Sequence, residues 1–138
     1  MNNVPRFSIF NKYLPFFSER YSFEICPKNR VDGLVSFIND YWKKDHILSR
    51  SREFLDWQHF DKKNDRYNFI LAIHKHTDEI HAINGYTLSS HYDHDINEPV
   101  FWGNIWKCKP DLDEPGLGMM ANWLSYDLFY LTHIIHPN

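Results

Sequence analysis

The chain has 138 residues, of which 43% are hydrophobic and 24% charged, and its formal net charge is -3. These values predict one folded domain, exclude a disordered or fibrous chain, and give no electrostatic reason to expect a nucleic-acid partner. Its two cysteines, Cys26 and Cys108, have no CxxC neighbour and are expected to be reduced, and residues 1–20 lack the uninterrupted apolar stretch of a signal peptide. We therefore expect a cytoplasmic protein.

The first twenty residues are rich in aromatic side chains but follow no clear period of 2 or 3.6. They predict an extended N-terminal arm, residues 1–20, ahead of a single domain that comprises residues 21–138. Residues 21–26 alternate well enough for a short strand, and Pro27 is expected to end it.

Two helices are expected after this strand. Asn29, with Asp32 three residues later, offers an N-cap for the first of them. The second helix is expected to begin after a cap at Ser49 or Ser51 and to continue to about Phe60. The apolar positions of the first helix predict one buried stripe of Val31, Leu34, Val35, Ile38, Tyr41 and Trp42. The second helix is expected to present Phe54, Leu55, Trp57 and Phe60.

Three strands are expected next. Residues 67–74 form a near-continuous apolar run and predict a buried strand, whereas residues 80–88 alternate and predict its hairpin partner. On such a strand, histidines are expected to be half-exposed, and Gly85 indicates a bulge or a close contact. A polar loop, residues 89–98, then leads to a strand over residues 100–108.

A glycine-containing loop follows this last strand and precedes an apolar run that predicts a helix. Glycines at a strand-to-helix junction let backbone N–H groups approach a ligand, and a helix N-terminus favours phosphate. Gly116 and Gly118 are therefore a candidate anion-binding cradle, and a simple turn is the alternative.

The order of one strand, two helices, three strands, a glycine loop and a helix resembles the GNAT superfamily of N-acetyltransferases. The resemblance rests on Ile105-Trp106-Lys107-Cys108-Lys109-Pro110, followed six positions after the proline by Gly116-Leu117-Gly118. It covers residues 21–124 and implies an α/β (α+β) fold with a mixed, mostly antiparallel sheet flanked by helices, without the C-terminal strands of the full domain. Residues 37–60 and the hairpin after them also resemble the branch found among bacterial surface-polysaccharide biosynthesis functions, in which a pair like Asp56-Trp57 follows a stretch like residues 42–48.

The resemblance implies an acyl-CoA-dependent N-acyltransferase that uses acetyl-CoA or another acyl-CoA and a small-molecule amine, such as an amino sugar. Its pyrophosphate would bind backbone N–H groups of the glycine loop, and its pantetheine arm would run beside the fourth strand. Asp113, however, stands where the family has Arg or Gln, and Glu114 follows it. A truncated, non-catalytic fragment or interaction module is the alternative. The implied cofactor-binding residues are Ile105, Trp106, Lys107, Cys108, Gly116, Leu117, Gly118, Met119 and Met120.

Acyl transfer needs a base for the acceptor amine, or a path to solvent, and hydrogen-bond donors for the oxyanion. Glu98, Asn104 and His91 lie near the strand that would flank the thioester, and each also has a purely structural interpretation. His91, Asp93, His94 and Asp95 form the best candidate metal cluster, but a solvated turn is the favoured interpretation, so no metal is predicted.

The last apolar stretch, residues 117–135, approaches the length of a membrane span. Asp127 near its centre would cost about 2.5 to 3.5 kcal/mol on insertion. A helix that is buried or packed against a partner is therefore favoured over a membrane span, and an exposed aromatic face on it would favour a homodimer.

Overall fold

The computed structural model describes residues 8–88, 101–112 and 115–121. A helix over Val31–Phe37 is preceded by a 3-10 turn (Lys28–Arg30) and followed by a π turn (Ile38–Trp42). The helices are α1 (Ser8–Ser18), α2 (Val31–Phe37), α3 (Ile47–Arg50), α4 (Arg52–His59) and α5 (residues 117–121). The strands are β1 (Tyr21–Pro27), β2 (Phe60–Asp61), β3 (Arg66–His74), β4 (Ile80–Leu88) and β5 (Phe101–Cys108).

The strands form one antiparallel sheet in the order β1-β3-β4-β5, and the short β2 pairs with the beginning of β3. The predicted hairpin is confirmed, because β3 and β4 pair across the turn with Leu71 opposite Ile83. The described part of the chain is therefore a mixed α+β fold built on an open antiparallel sheet.

Helices cover both faces of the sheet, so β3 and β4 are buried along almost their whole length. On one face, Phe69 and Leu71 of β3 pack with residues of α2 and α4, such as Leu34 and Leu55. On the other face, Ala72 packs with residues of α1 and α5. This two-sided burial explains the near-continuous apolar run of β3.

The prediction of an extended arm is wrong for residues 8–18, which form helix α1 with Pro15 inside it. Phe17 is buried against Tyr21 of β1 and Leu117 of α5, and Leu14 packs beside them. Among the side chains of α1 that the structure describes, Leu14 and Phe17 thus pack on partners that are distant in sequence. Such contacts leave no periodic signal within the arm itself.

The predicted apolar stripe of the first long helix is correct only in its first half. Val31, Leu34 and Ile38 are buried, but Phe37 is buried as well and Trp42 is 41% exposed. At Ile38 the helix changes to a π turn, in which the N–H of Lys43 donates to the carbonyl of Ile38 over 2.9 Å. The extra residue in this turn changes the direction of the side chains, so that Trp42 is exposed while Tyr41 still packs against the core.

The cap predicted for the second helix is confirmed at Ser51, whose side chain accepts from the N–H of Phe54 over 3.1 Å. A separate turn of helix, α3, precedes it. Leu55 and His59 face the core, whereas Trp57 is 60% exposed. The guanidinium of Arg52 pairs with Asp32 of α2 at 2.9 Å, which gives this arginine a role outside its own helix.

Replacement of Ser51 by Ala should lower the free energy of unfolding by about 1 kcal/mol, because a backbone N–H in the first turn of α4 loses its acceptor. Urea unfolding of the variant measures this effect. Ser51→Asp is the matched control, since a carboxylate can also accept from Phe54; equal losses in both variants would show that the cap does not stabilise α4.

The prediction of half-exposed hairpin histidines is wrong for His81, which is 8% exposed. Its Nδ1 lies 2.9 Å from the hydroxyl of Tyr21, and its ring stacks on that of His74 at 4.9 Å between centroids. Strand alternation exposes a side chain only when nothing packs against it, and here the rings of Tyr21 in β1 and His74 in β3 lie against His81.

Candidate ligand-binding site along strand β5

Strand β5 lies at the edge of the sheet, and among the described residues its only strand partner is β4. The register shifts within this pair, since Gly85 is opposite Ile105 while Tyr86 is opposite Gly103. Asn104 is therefore an extra residue on β5, a β-bulge. Bulges are over-represented beside active sites because they change the direction of a side chain and interrupt pairing.

Large apolar side chains are exposed along this edge. Trp102 is 52% and Trp106 46% exposed on β5, and Met119 of α5 is 38% exposed. Ile105, by contrast, joins the core beneath α2 and α4. A strand at the edge of a sheet, with exposed aromatic rings, provides both backbone hydrogen-bonding groups and apolar surface for a ligand or a partner.

The loop after β5 reaches α5 through a tight turn. Gly116 has a φ of 88°, a left-handed conformation that favours glycine. The N–H of Met120 donates to the carbonyl of Gly116 over 2.9 Å. The N–H groups of residues 117–119 thus lie in the first turn of the helix, where α-helical geometry provides no internal acceptor.

The second glycine has a different role from the one that its motif suggests. A Cβ at Gly118 would lie 3.0 Å from both Sγ of Cys108 and Nε1 of Trp106, so the protein's own side chains occupy this space. The Trp106 indole N–H also donates to the carbonyl of Gly118 over 2.8 Å. Gly118 therefore allows α5 to approach β5 closely, and Trp106 holds the two together.

The thiol of Cys108 is not a ready nucleophile. Burial raises its pKa, while a hydrogen bond to the backbone of Gly118 and the positive charge of Lys107 have smaller effects that lower it. A thiol with a raised pKa stays protonated at neutral pH and reacts slowly. The proximity of Cys108 to the glycine loop is accordingly a matter of packing, not of covalent chemistry.

Of the three predicted catalytic residues, Asn104 lies among the described residues. Asn104 is exposed at the bulge, where its Oδ1 accepts from the Thr87 hydroxyl over a long distance of 3.5 Å. His91 and Glu98 lie outside the described residues, as do Asp113 and Glu114 and the candidate metal cluster at residues 91–95.

The implied cofactor-binding residues divide into two groups. Leu117 and Met120 are fully buried beside Phe17 and contribute only backbone groups to any site. Met119 and Trp106 present exposed side chains, and Lys107 is half-buried. Gly85, which indicated a bulge or a close contact, lies where the register of β4 and β5 shifts. The bond from Trp106 to Gly118 was not predicted from the sequence, which has no local signal for it.

Among the described residues, no cluster of three or more His, Cys, Asp or Glu side chains is arranged to hold a metal ion. Nor does any helix in that part of the chain have the length and apolar character needed to span a membrane. Most of the apolar stretch 117–135 lies beyond the described residues.

Comparisons of the chain with protein-family profiles, with curated protein sequences and with solved structures found no match.

Proposed function

We propose that this chain is a GNAT-like domain that binds acyl-CoA and transfers the acyl group to an amine. One observation carries the proposal. Strand β5 has an unpaired edge among the described residues and a bulge at Asn104, and it leads through a glycine turn into the first turn of α5. That arrangement matches the path of an extended acyl-CoA, from thioester to pyrophosphate.

The topology supports the same proposal. The resemblance implies one strand, two helices and then three strands, in a mixed, mostly antiparallel sheet flanked by helices. The described strands follow the order β1-β3-β4-β5, with α2, α3 and α4 between β1 and β3. Helices α2 and α4 pack on one face, and α5, after the glycine loop, packs on the other.

In the proposed complex the pantetheine arm of acyl-CoA lies along the open edge of β5, where backbone groups near Asn104 and Ile105 can bond to its amides. The N–H groups of Leu117 and Met119 face the pyrophosphate at the positive end of α5. The amine nitrogen attacks the thioester carbonyl, the new C–N bond replaces the C–S bond, and the amine proton leaves with the thiolate as CoA thiol. An amino sugar of a cytoplasmic polysaccharide pathway is the proposed acceptor.

Acetyl-CoA should bind the full chain, and Met119→Glu should weaken that binding about tenfold. A carboxylate beside the pyrophosphate repels it by about 1 to 2 kcal/mol at the surface of a protein. Met119 suits this test because its side chain is exposed, whereas a substitution at Gly118 would disrupt the packing of α5 on β5. Isothermal titration calorimetry at low salt measures the dissociation constant of acetyl-CoA.

Met119→Gln is the matched control, since it has the shape of Glu without the charge and should bind within about twofold of the original chain. Equal affinity of the Glu and Gln variants would place the pyrophosphate elsewhere. If acetyl-CoA neither binds nor raises the melting temperature, the acyltransferase proposal fails. A non-catalytic interaction module, with the exposed Trp102 and Trp106 as its contact surface, then replaces it.

A further inference from the structure

A concave surface lies on the face of the sheet opposite α5. It is a cleft of about 300 Å³ between the beginning of α2 and the turn that joins β3 to β4. Phe37 and Ile80 form apolar parts of its lining, and Lys109 lies at one end. Its volume is at the lower limit of small-molecule sites, which span roughly 300 to 1,000 Å³.

Two features that are unfavourable for a helix line this cleft. Gly33 lies within α2, where glycine lowers helix stability relative to alanine, and a Cβ there would lie only 3.3 Å from Cδ1 of Ile80. Gly33 therefore lets α2 approach β4 closely beside the cleft. The π turn places Asp40 and Tyr41 in the lining. Such turns occur frequently at functional sites.

The charges of the lining favour a cation. Arg30 is already paired with Asp78 at 2.9 Å and with Glu24 at 3.3 Å, so its charge is neutralised. Asp40 accepts from the Asn39 amide at 3.4 Å, and no cation among the described residues pairs with it. A carboxylate without a cation at the side of a cleft is suited to bind a protonated amine.

Tyr41 adds an aromatic ring to the same wall, and the Phe37 ring packs edge-on against it at 5.0 Å between centroids. The ammonium group of Lys109 lies 5.9 Å from the centroid of the Tyr41 ring and 3.6 Å from a carboxylate oxygen of Glu79. The second distance is too long for a hydrogen bond. The cleft thus already contains the ammonium group of Lys109, which makes no hydrogen bond to Glu79.

We propose that this cleft binds a small organic ammonium ion between Asp40, Glu79 and the Tyr41 ring, and that Lys109 competes with the ligand for the same place. The backbone of Lys109 is fixed by the bond from its N–H to the carbonyl of His81 at 2.7 Å, so only its side chain must swing into solvent to admit the ligand. Binding here does not depend on the proposed acyl-CoA site.

The test is an NMR titration of the full chain with n-butylammonium chloride at constant ionic strength, with n-butanol as the uncharged control. We expect saturable shifts of the Gly33, Tyr41 and Ile80 amides with the ammonium ion alone. Lys109→Gln should bind it about threefold more tightly because the competing ammonium group is gone, and Asp40→Asn should bind it about fivefold more weakly.

The gain in Lys109→Gln distinguishes the proposal from a general loss of structure, since a damaged cleft would not bind more tightly. Equal binding of n-butanol would show an apolar cleft without cation selectivity and would overturn the proposal. So would unchanged affinity in either variant, or the absence of saturable shifts in both the original chain and Lys109→Gln.

Discussion

Gly85→Ala should lower the free energy of unfolding by about 3 kcal/mol, a large loss for the addition of one methyl group. A Cβ at this position of β4 would lie 2.5 Å from Cε1 and 2.9 Å from Cζ of Phe69 on the neighbouring strand. Phe69 is completely buried, and its ring centroid is 4.4 Å from that of the equally buried His59 in α4. The ring can move only by displacing the helix.

Gly103→Ala is the matched control on the adjacent strand β5, because no atom of the described residues lies within 4 Å of its added Cβ. We expect this control to change stability by less than about 0.5 kcal/mol, as measured by urea unfolding. Combining Gly85→Ala with Phe69→Leu should be less destabilising than the sum of the two single changes, by at least about 1 kcal/mol. Additive losses would show that the contact with Phe69 is not the cause.

The second large effect is a loss of stability at alkaline pH. Burial, with a smaller effect of the Glu24 charge, raises the pKa of Cys26 from 9.0 to about 12. Burial and the hydrogen bond to Asp56 raise the pKa of Tyr67 to about 12, and burial raises that of Tyr86 to about 12. Each of these three side chains therefore keeps its proton up to a higher pH in the folded state than in the unfolded state.

Because the unfolded state then binds fewer protons, stability is fully present below about pH 9 and falls as the pH rises toward 12. At about pH 10.5 the expected loss is about 2 kcal/mol from Cys26 and about 1 kcal/mol from each tyrosine. Urea unfolding at about pH 8 and pH 10.5 measures it. Cys26→Ala should remove about 2 kcal/mol of the pH dependence, and Tyr67→Phe about 1 kcal/mol. A dependence identical in Cys26→Ala and the original chain would contradict this assignment.

The elements that were predicted correctly are those whose signal is local. The apolar run and the alternating run that follows it predicted the hairpin of β3 and β4, and both strands begin and end within a residue of the predicted positions. Ser51 as a cap was predictable because a hydroxyl and the N–H three residues later are neighbours in any helix.

The predictions that failed depended on contacts between distant residues. Helix α1 is stabilised by Phe17 against Leu117, which lie a hundred residues apart. His81 is buried because the rings of Tyr21 in β1 and His74 in β3 lie against it. No window of neighbouring residues contains this information.

The candidate site was likewise predictable from the sequence only in part. A strand over residues 100–108 that leads through glycines into a helix could be predicted, since turn chemistry and apolar periodicity are properties of adjacent residues. The separate roles of the two glycines could not be predicted: Gly116 turns the chain, whereas Gly118 makes room for Trp106 and Cys108. A glycine's role depends on which atoms approach it, and here packing between β5 and α5 determines that.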